Sequence, residues 1–174
     1  CSSDLVILIC LAFVSTPIYA GDAFQLTEVG TSARMIGLGN IEGFSDDASS
    51  VFENPAALYH IEHYSLSAFT TKLMDQVTYR NISFGMKTDY GNLGFGYMSA
   101  DVPDVPFTQV ANGRFYASEY FTYGNMLAKA AWQITLAEKL YFGSSINYYS
   151  NQFGRFEHGK GFNMDMGLLW ESDK

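Results

Sequence analysis

From residue 64 onward, apolar and polar side chains alternate along the chain in a series of short segments. This alternation predicts β-strands, because successive side chains of a strand point to opposite faces of a sheet. It predicts six strands over residues 64–174. The last strand is the clearest, because one of its faces is apolar and the other is mostly polar. The apolar face consists of Phe162, Met164, Met166, Leu168 and Trp170, and the opposite face consists of Asn163, Asp165, Gly167 and Leu169.

Alternation alone leaves two all-β folds open, since the apolar face is a core in a soluble sandwich and faces lipid in a membrane barrel. The predicted connections favour the barrel, whose turns are short at one end and longer at the other. We predict short turns at 89–92 and 137–139 and long loops at 101–119 and 151–161; residues 74–76 are the exception, with a short turn where a longer loop is expected. The sequence therefore predicts a transmembrane antiparallel β-barrel.

Aromatic placement and composition agree with this fold. Trp132 and Trp170 fall near strand ends, where barrels carry aromatic girdles, and the chain has 12 Tyr, 14 Phe and 16 Gly. Its net charge of −8 argues against a nucleic-acid partner, which needs a cationic face. Six strands are too few to close a barrel, and the chain begins with Cys1 rather than Met. We therefore expect a truncated chain with sequence missing at both ends.

The first 20 residues predict a secretory signal peptide. The apolar run 5–14 is too short to span a bilayer, and the residues before Gly21 are typical of a cleavage site after Ala20. We therefore expect export through the inner membrane to a bacterial outer membrane. Cys1 and Cys10 would leave with this peptide, so the mature chain needs no disulfide, and we predict neither a metal nor a cofactor.

Residues 21–63 lack sustained alternation, and we predict that they form a plug ahead of the strands. Residues 46–51 are typical of a short capped helix, and Asn54 followed by Pro55 is typical of a second helix start. Gly37 and Gly39 permit a close backbone approach or a positive φ. Asp46, Asp47 and Asn54 have two open interpretations, as gates of a ligand path or simply as helix caps.

The polar faces of the predicted strands would line the lumen of a barrel. These side chains could guide an amphipathic ligand, although the lumen of any barrel is polar. The candidates are Asn81, Lys129, Gln133, Asn147 and Asp165.

Two enzymatic or metal-binding alternatives are weaker. His60 and His63 lie three residues apart without a third ligand at a recognisable spacing, so a junction between plug and strand is the better interpretation. An outer-membrane hydrolase remains a remote alternative, but the chain has no Gly-x-Ser-x-Gly motif. We expect a protein that is not an enzyme.

Residues 30–40 (GTSARMIGLGN) and 46–58 (DDASSVFENPAAL) resemble the N-terminal pattern of FadL-like outer-membrane proteins, closest to the PorV/PorQ branch. Phe52-Glu53 stands where the pattern has an aromatic residue, and Ala57 where glycine is common. The resemblance implies a barrel of about fourteen strands whose N-terminal segment folds inward as a hatch. The hatch or gating residues it implies are Gly37, Gly39, Asp46, Asp47, Asn54, Pro55 and Ala56.

The resemblance implies two possible functions. FadL-like proteins pass long-chain fatty acids and similar hydrophobic molecules across the outer membrane, whereas the PorV branch binds exported cargo proteins in type IX secretion. The matching residues belong to the shared hatch and do not distinguish these functions. We expect uptake of hydrophobic small molecules, with cargo binding as the alternative and outer-membrane lipid as a partner in both.

Overall fold

The computed structural model of the chain describes residues 26, 29–41, 43, 45–111, 113–154 and 157–172. The predicted signal peptide, with its two cysteines, lies outside these residues. None of the helices in the described ranges is long and apolar enough to cross a lipid bilayer.

Six strands form one antiparallel sheet in which each strand pairs with the next along the chain. This arrangement confirms the predicted all-β fold and the six strands, with the first and last at the two edges. The strands are β1 (Tyr64–Leu73), β2 (Val77–Thr88), β3 (Gly91–Ala111), β4 (Arg114–Ala137), β5 (Leu140–Phe153) and β6 (Glu157–Trp170).

Two predicted long loops are wrong. β3 and β4 have 21 and 24 residues and pair almost to their tips, so most of residues 101–119 belongs to a long hairpin. Likewise, β5 and β6 pair through most of residues 151–161. We call the end of the sheet with this long hairpin the hairpin end, and the end with the turns at 89–90 and 138–139 the short-turn end.

The long hairpin accommodates residues that usually interrupt strands. Beyond Asp101, β3 pairs with β4 alone and is an edge strand. Pro103 and Pro106, which lack a backbone N–H, are tolerated at such an edge. The register also shifts between Val102 and Val105, as in a β-bulge. Gly113 adopts a φ of +71° in the tight turn at the tip.

The N-terminal segment, which we define as the described residues from 26 to 63, contains only short helices. They are α1 (Ala33–Gly37), α2 (Ser50–Glu53) and a 3₁₀ helix (Pro55–His60). The predicted start at Asn54 and Pro55 is present. The helix predicted over residues 46–51 begins only at Ser50, because the Asp47 carboxylate accepts a hydrogen bond from the backbone N–H of Ser49 at 2.7 Å and forms a turn before it.

The two faces of the sheet have different surroundings. The covered face packs against the N-terminal segment and includes the buried Tyr79, Met98 and Leu127. The bare face carries mostly apolar side chains, many of them exposed among the described residues. Its exposed large side chains include Ile82, Phe95, Trp132, Ile146, Met164 and Leu168.

The hydrophobic core lies between the N-terminal segment and the covered face. Val51, Phe52 and Leu58 of the segment are 0–5% exposed and pack in the same cluster as Tyr79 and Met98 of the sheet. Burial of such side chains is worth about 1.5–3 kcal/mol each. The segment is therefore an integral part of the folded unit.

Candidate functional site

Glycines on the covered face make room for the N-terminal segment. A Cβ atom on Gly94 would lie 2.8 Å from Leu58 Cδ1, and one on Gly96 would lie 2.6 Å from the Phe52 ring. Both contacts are closer than real Cβ atoms permit. A larger residue at either position of β3 would have to displace the buried Leu58 or Phe52 side chain, so glycine allows the segment to lie this close.

The Asn54-Pro55-Ala56 motif lies on two further glycines. A Cβ atom on Gly143 would collide with the backbone of Pro55 and Ala56, and one on Gly167 would collide with the Asn54 side chain. Asn54 Oδ1 accepts from the Ala56 backbone N–H at 3.0 Å, while its Nδ2 donates to the β6 backbone at 3.3 Å. Asn54 thus caps the 3₁₀ helix and also ties it to the sheet.

Side chains of the sheet donate to backbone carbonyls of the N-terminal segment. Asn92 Nδ2 donates to the carbonyls of Leu58 at 2.7 Å and Ile61 at 2.9 Å. Asn81 Nδ2 donates to the Thr31 carbonyl at 2.5 Å. Buried carbonyls need hydrogen-bond partners. These side chains supply them beside the segment's own bonds, such as the one from the Ile61 backbone N–H to the Leu58 carbonyl at 3.0 Å.

A charged network lies beside these contacts. Lys129 Nζ donates to Asp165 Oδ2 at 2.8 Å, and the two side chains are 5% and 40% exposed. Asn147 Nδ2 donates to the same oxygen at 2.8 Å, and Ser145 Oγ donates to it at 3.3 Å. The lysine also reaches the Phe52 carbonyl at 3.5 Å. The network therefore joins three strands and contacts the N-terminal segment.

The predicted lumen residues all lie on the covered face. Lys129, Asn147 and Asp165 meet in the charged network, whereas Asn81 binds the N-terminal segment. Gln133 is 2% exposed, and its Nε2 has no hydrogen-bond partner among the described residues. The sequence thus identified a shared face, and the structure divides its members between separate contacts.

The predicted acidic gating residues lie apart from this network. Asp46 pairs with Arg34 at 2.7 Å in an exposed salt bridge. Asp47 forms the turn before α2. Gly39 has a φ of +80°, as predicted, but a Cβ atom added to Gly37 or Gly39 would meet no other atom within 4 Å. Of the two alternatives predicted for these glycines, the structure shows the positive φ at Gly39 and, among the described residues, no close backbone approach at either position.

Glu53 is a structural residue that no pattern in the sequence predicts. Its carboxylate accepts from Thr31 Oγ1 at 2.7 Å, from Ser45 Oγ at 2.5 Å and from the Gly43 backbone N–H at 3.0 Å. It therefore joins α2 to two other parts of the N-terminal segment, at residue 31 and at residues 43–45. Nothing in the local sequence signals these partners.

The last turn of the 3₁₀ helix is fixed at the short-turn end. The Tyr59 ring stacks on Tyr141 with centroids 3.7 Å apart, and its hydroxyl donates to the Glu171 carboxylate. Both tyrosines border a cleft of about 600 Å³. The neighbouring His60 has its pKa lowered because burial disfavours the charged imidazole, an effect that Asp46 partly offsets.

The contacts described above hold the N-terminal segment in place, and the charges of Lys129 and Asp165 are paired with each other. In the described part of the chain, no group of three or more His, Cys, Asp or Glu side chains could hold a metal ion. Comparisons with known protein families, curated proteins and solved structures find no match to this chain. The FadL-like resemblance therefore stays a prediction from the residues that carry it.

Proposed function

We propose that the sheet is part of a transmembrane β-barrel in a bacterial outer membrane, and that this barrel takes up hydrophobic small molecules such as long-chain fatty acids. The N-terminal segment would be the plug of that barrel. The FadL-like pattern in residues 30–58 supports the same proposal.

The bare face carries this proposal. Phe95, Ile146, Met164 and Leu168 are 50–64% exposed and belong to strands of a single sheet. Apolar surface of this extent marks an interaction site, and soluble monomers rarely expose it. Acyl chains would cover it without needing any polar partner.

The position of the N-terminal segment supports its role as a plug. The segment packs on the covered face, which would line the lumen if the sheet continued into a closed barrel. Asn81, Asn92 and Lys129 hold it through hydrogen bonds to backbone carbonyls. Such bonds to single carbonyls can break one at a time, which suits a plug that rearranges to open a path.

Uptake by the full-length protein tests this proposal. In lipid vesicles, we expect the protein to admit a fluorescent long-chain fatty acid faster than protein-free vesicles do. An Asn54→Cys, Gly167→Cys pair places thiols at the contact between the 3₁₀ helix and β6. Oxidation of this pair should slow uptake, and reduction should restore it.

The Asn54→Cys single variant is the control, because oxidation cannot tie the segment to the sheet there. Uptake at the rate of protein-free vesicles in every sample would contradict the transport proposal. Unchanged uptake in the oxidised pair would contradict only the role of the N-terminal segment as a moving plug.

Binding of exported cargo proteins is the second candidate function, and the long hairpin favours it. Phe115 and Tyr120 there are 79% and 68% exposed, and aromatic side chains are enriched at protein interfaces. Co-purification of cargo domains with the intact protein, and their loss from a Phe115→Ser, Tyr120→Ser variant, would support this function. Retention of the same cargo by the variant would contradict it.

A further inference from the structure

The bare face changes abruptly in character toward the hairpin end. Strand pairing aligns its outward side chains in rows that run across the sheet. One such row is entirely uncharged and mostly apolar, and consists of Ala68, Ile82, Tyr97, Ala128, Tyr148 and Phe162.

The next row toward the hairpin end contains two cations. It consists of Thr70, Arg80, Ser99, Met126, Ser150 and Lys160. One row further, Lys72 and Asp101 both face outward across from Thr78. We call Lys72, Arg80 and Lys160 the basic rim.

Outside the long hairpin, the basic rim contains every lysine and arginine that the described strands direct to the bare face. Lys87 and Lys129 lie on the covered face, in register with Asn92 and Gly96. With Asp101, the rim has three positive charges and one negative charge, in a chain whose net charge is −8. Positive charge is thus concentrated at one border of the apolar surface.

Lys72 and Arg80 are close enough to act on one anion. They are diagonal neighbours on paired strands, a relation that places their Cα atoms about 7–8 Å apart. Arg80 pairs with Asp101 at 3.1 Å, with side chains 58% and 38% exposed. Exposed pairs of this kind are weak, so an incoming phosphate can share the guanidinium.

We propose that Lys72 and Arg80, with Lys160 further along the same border, bind the phosphate groups of anionic lipids at the hairpin end of the bare face. This proposal rests on the proposed function, in which acyl chains cover the apolar rows. Phosphate groups then lie immediately beyond those chains, at the level of the basic rim. Guanidinium and ammonium groups are the side chains that bind phosphate there.

Lipid selectivity of the full-length protein tests the basic rim. In nanodiscs with equal amounts of phosphatidylglycerol and phosphatidylcholine, native mass spectrometry would measure the ratio of the two lipids that stay bound. We expect phosphatidylglycerol to be enriched. Lys72→Gln with Arg80→Gln should reduce this enrichment at least about fivefold, the factor that corresponds to roughly one basic residue near an anionic membrane surface.

The matched control is Lys87→Gln with Lys139→Gln, which removes the same charge near the short-turn end. We expect its enrichment to equal that of the original protein. An equal loss in both double variants, or no loss in the rim variant, would overturn the proposal. Lys72→Gln alone keeps the Arg80–Asp101 pair intact and should show a partial loss, so the test does not depend on folding of the double variant.

Two further results separate the related explanations. If phosphatidylglycerol is not enriched, but millimolar inorganic phosphate binds the original protein and not the rim variant, the rim binds the free anion and the assignment to lipid is wrong. Lipid enrichment without fatty-acid uptake would overturn the transport proposal but not the proposal that the basic rim binds lipid phosphate. Fatty-acid uptake without lipid enrichment would overturn only the proposal for the basic rim.

Discussion

Single residues of the covered face determine how closely the N-terminal segment approaches the sheet. Alternation correctly placed Gly167 on the same face of the last strand as Asn163 and Asp165. It could not show what lies above them, because a period of two identifies a face and not its partner. A local pattern could not indicate the role of Glu53 either, because its partners are up to 22 residues away along the chain.

Gly143→Ala should loosen the N-terminal segment. The new Cβ would collide with the backbone of Pro55 and Ala56, which cannot rotate away as a side chain can. We expect the free energy of unfolding to fall by about 1–3 kcal/mol, measured by denaturant titration. Gly161→Ala is the control, because a Cβ there meets no atom within 4 Å. Equal losses in both variants would contradict the close contact.

His60 should make stability depend on pH. Burial lowers the pKa of its imidazole, so below about pH 6.5 the unfolded chain binds a proton that the folded chain does not. The free energy of unfolding should therefore decrease as the pH falls from about 6.5 to the lowered pKa. His60→Gln should remove this part of the pH dependence.

Asp46→Asn should strengthen the pH dependence of stability, whereas His60→Gln should weaken it, because the Asp46 carboxylate raises the pKa of His60. Without that charge, the loss of stability on acidification should be larger. Denaturant titrations across the same pH range would measure both variants. A pH dependence unaffected by His60→Gln would rule out this histidine as the cause.

Among the elements, the long hairpin differs most from its prediction. Pro103, Pro106 and the Asn-Gly pair at 112–113 are residues that commonly occur in loops, and they are the reason for the predicted loop at 101–119. In the structure, the prolines lie where β3 has one neighbour, and Gly113 forms the turn. Sequence alone could not reveal this, because it does not show where β2 stops pairing.

Hydrogen exchange tests the hairpin. Residues 108–110 pair with residues 115–117, so their hydrogen-bonded amides should exchange slowly, whereas a loop would exchange at once. Gly113→Val should accelerate exchange near the tip, since a β-branched residue is strained at a φ of +71°. The β5–β6 pairing serves as the internal reference. Rapid exchange of the hairpin in the original protein would contradict its structure.

The two faces of the single sheet define the protein as a whole. The sequence predicted which side chains share each face, as Phe162 and Met164 against Asn163 and Asp165 illustrate. It left open whether the apolar face is a protein core or a lipid surface. The structure places its core on the other face, between the sheet and the N-terminal segment.

The most direct test measures what touches the bare face in a bilayer. In the full-length protein lacking its signal peptide, single cysteines at Met164 and Gly161 would carry the same fluorophore on opposite faces of β6. We predict that brominated acyl chains quench the label at 164 strongly and the label at 161 weakly. Equal weak quenching by acyl chains, with strong quenching of the label at 164 by aqueous iodide, would contradict the membrane-spanning account.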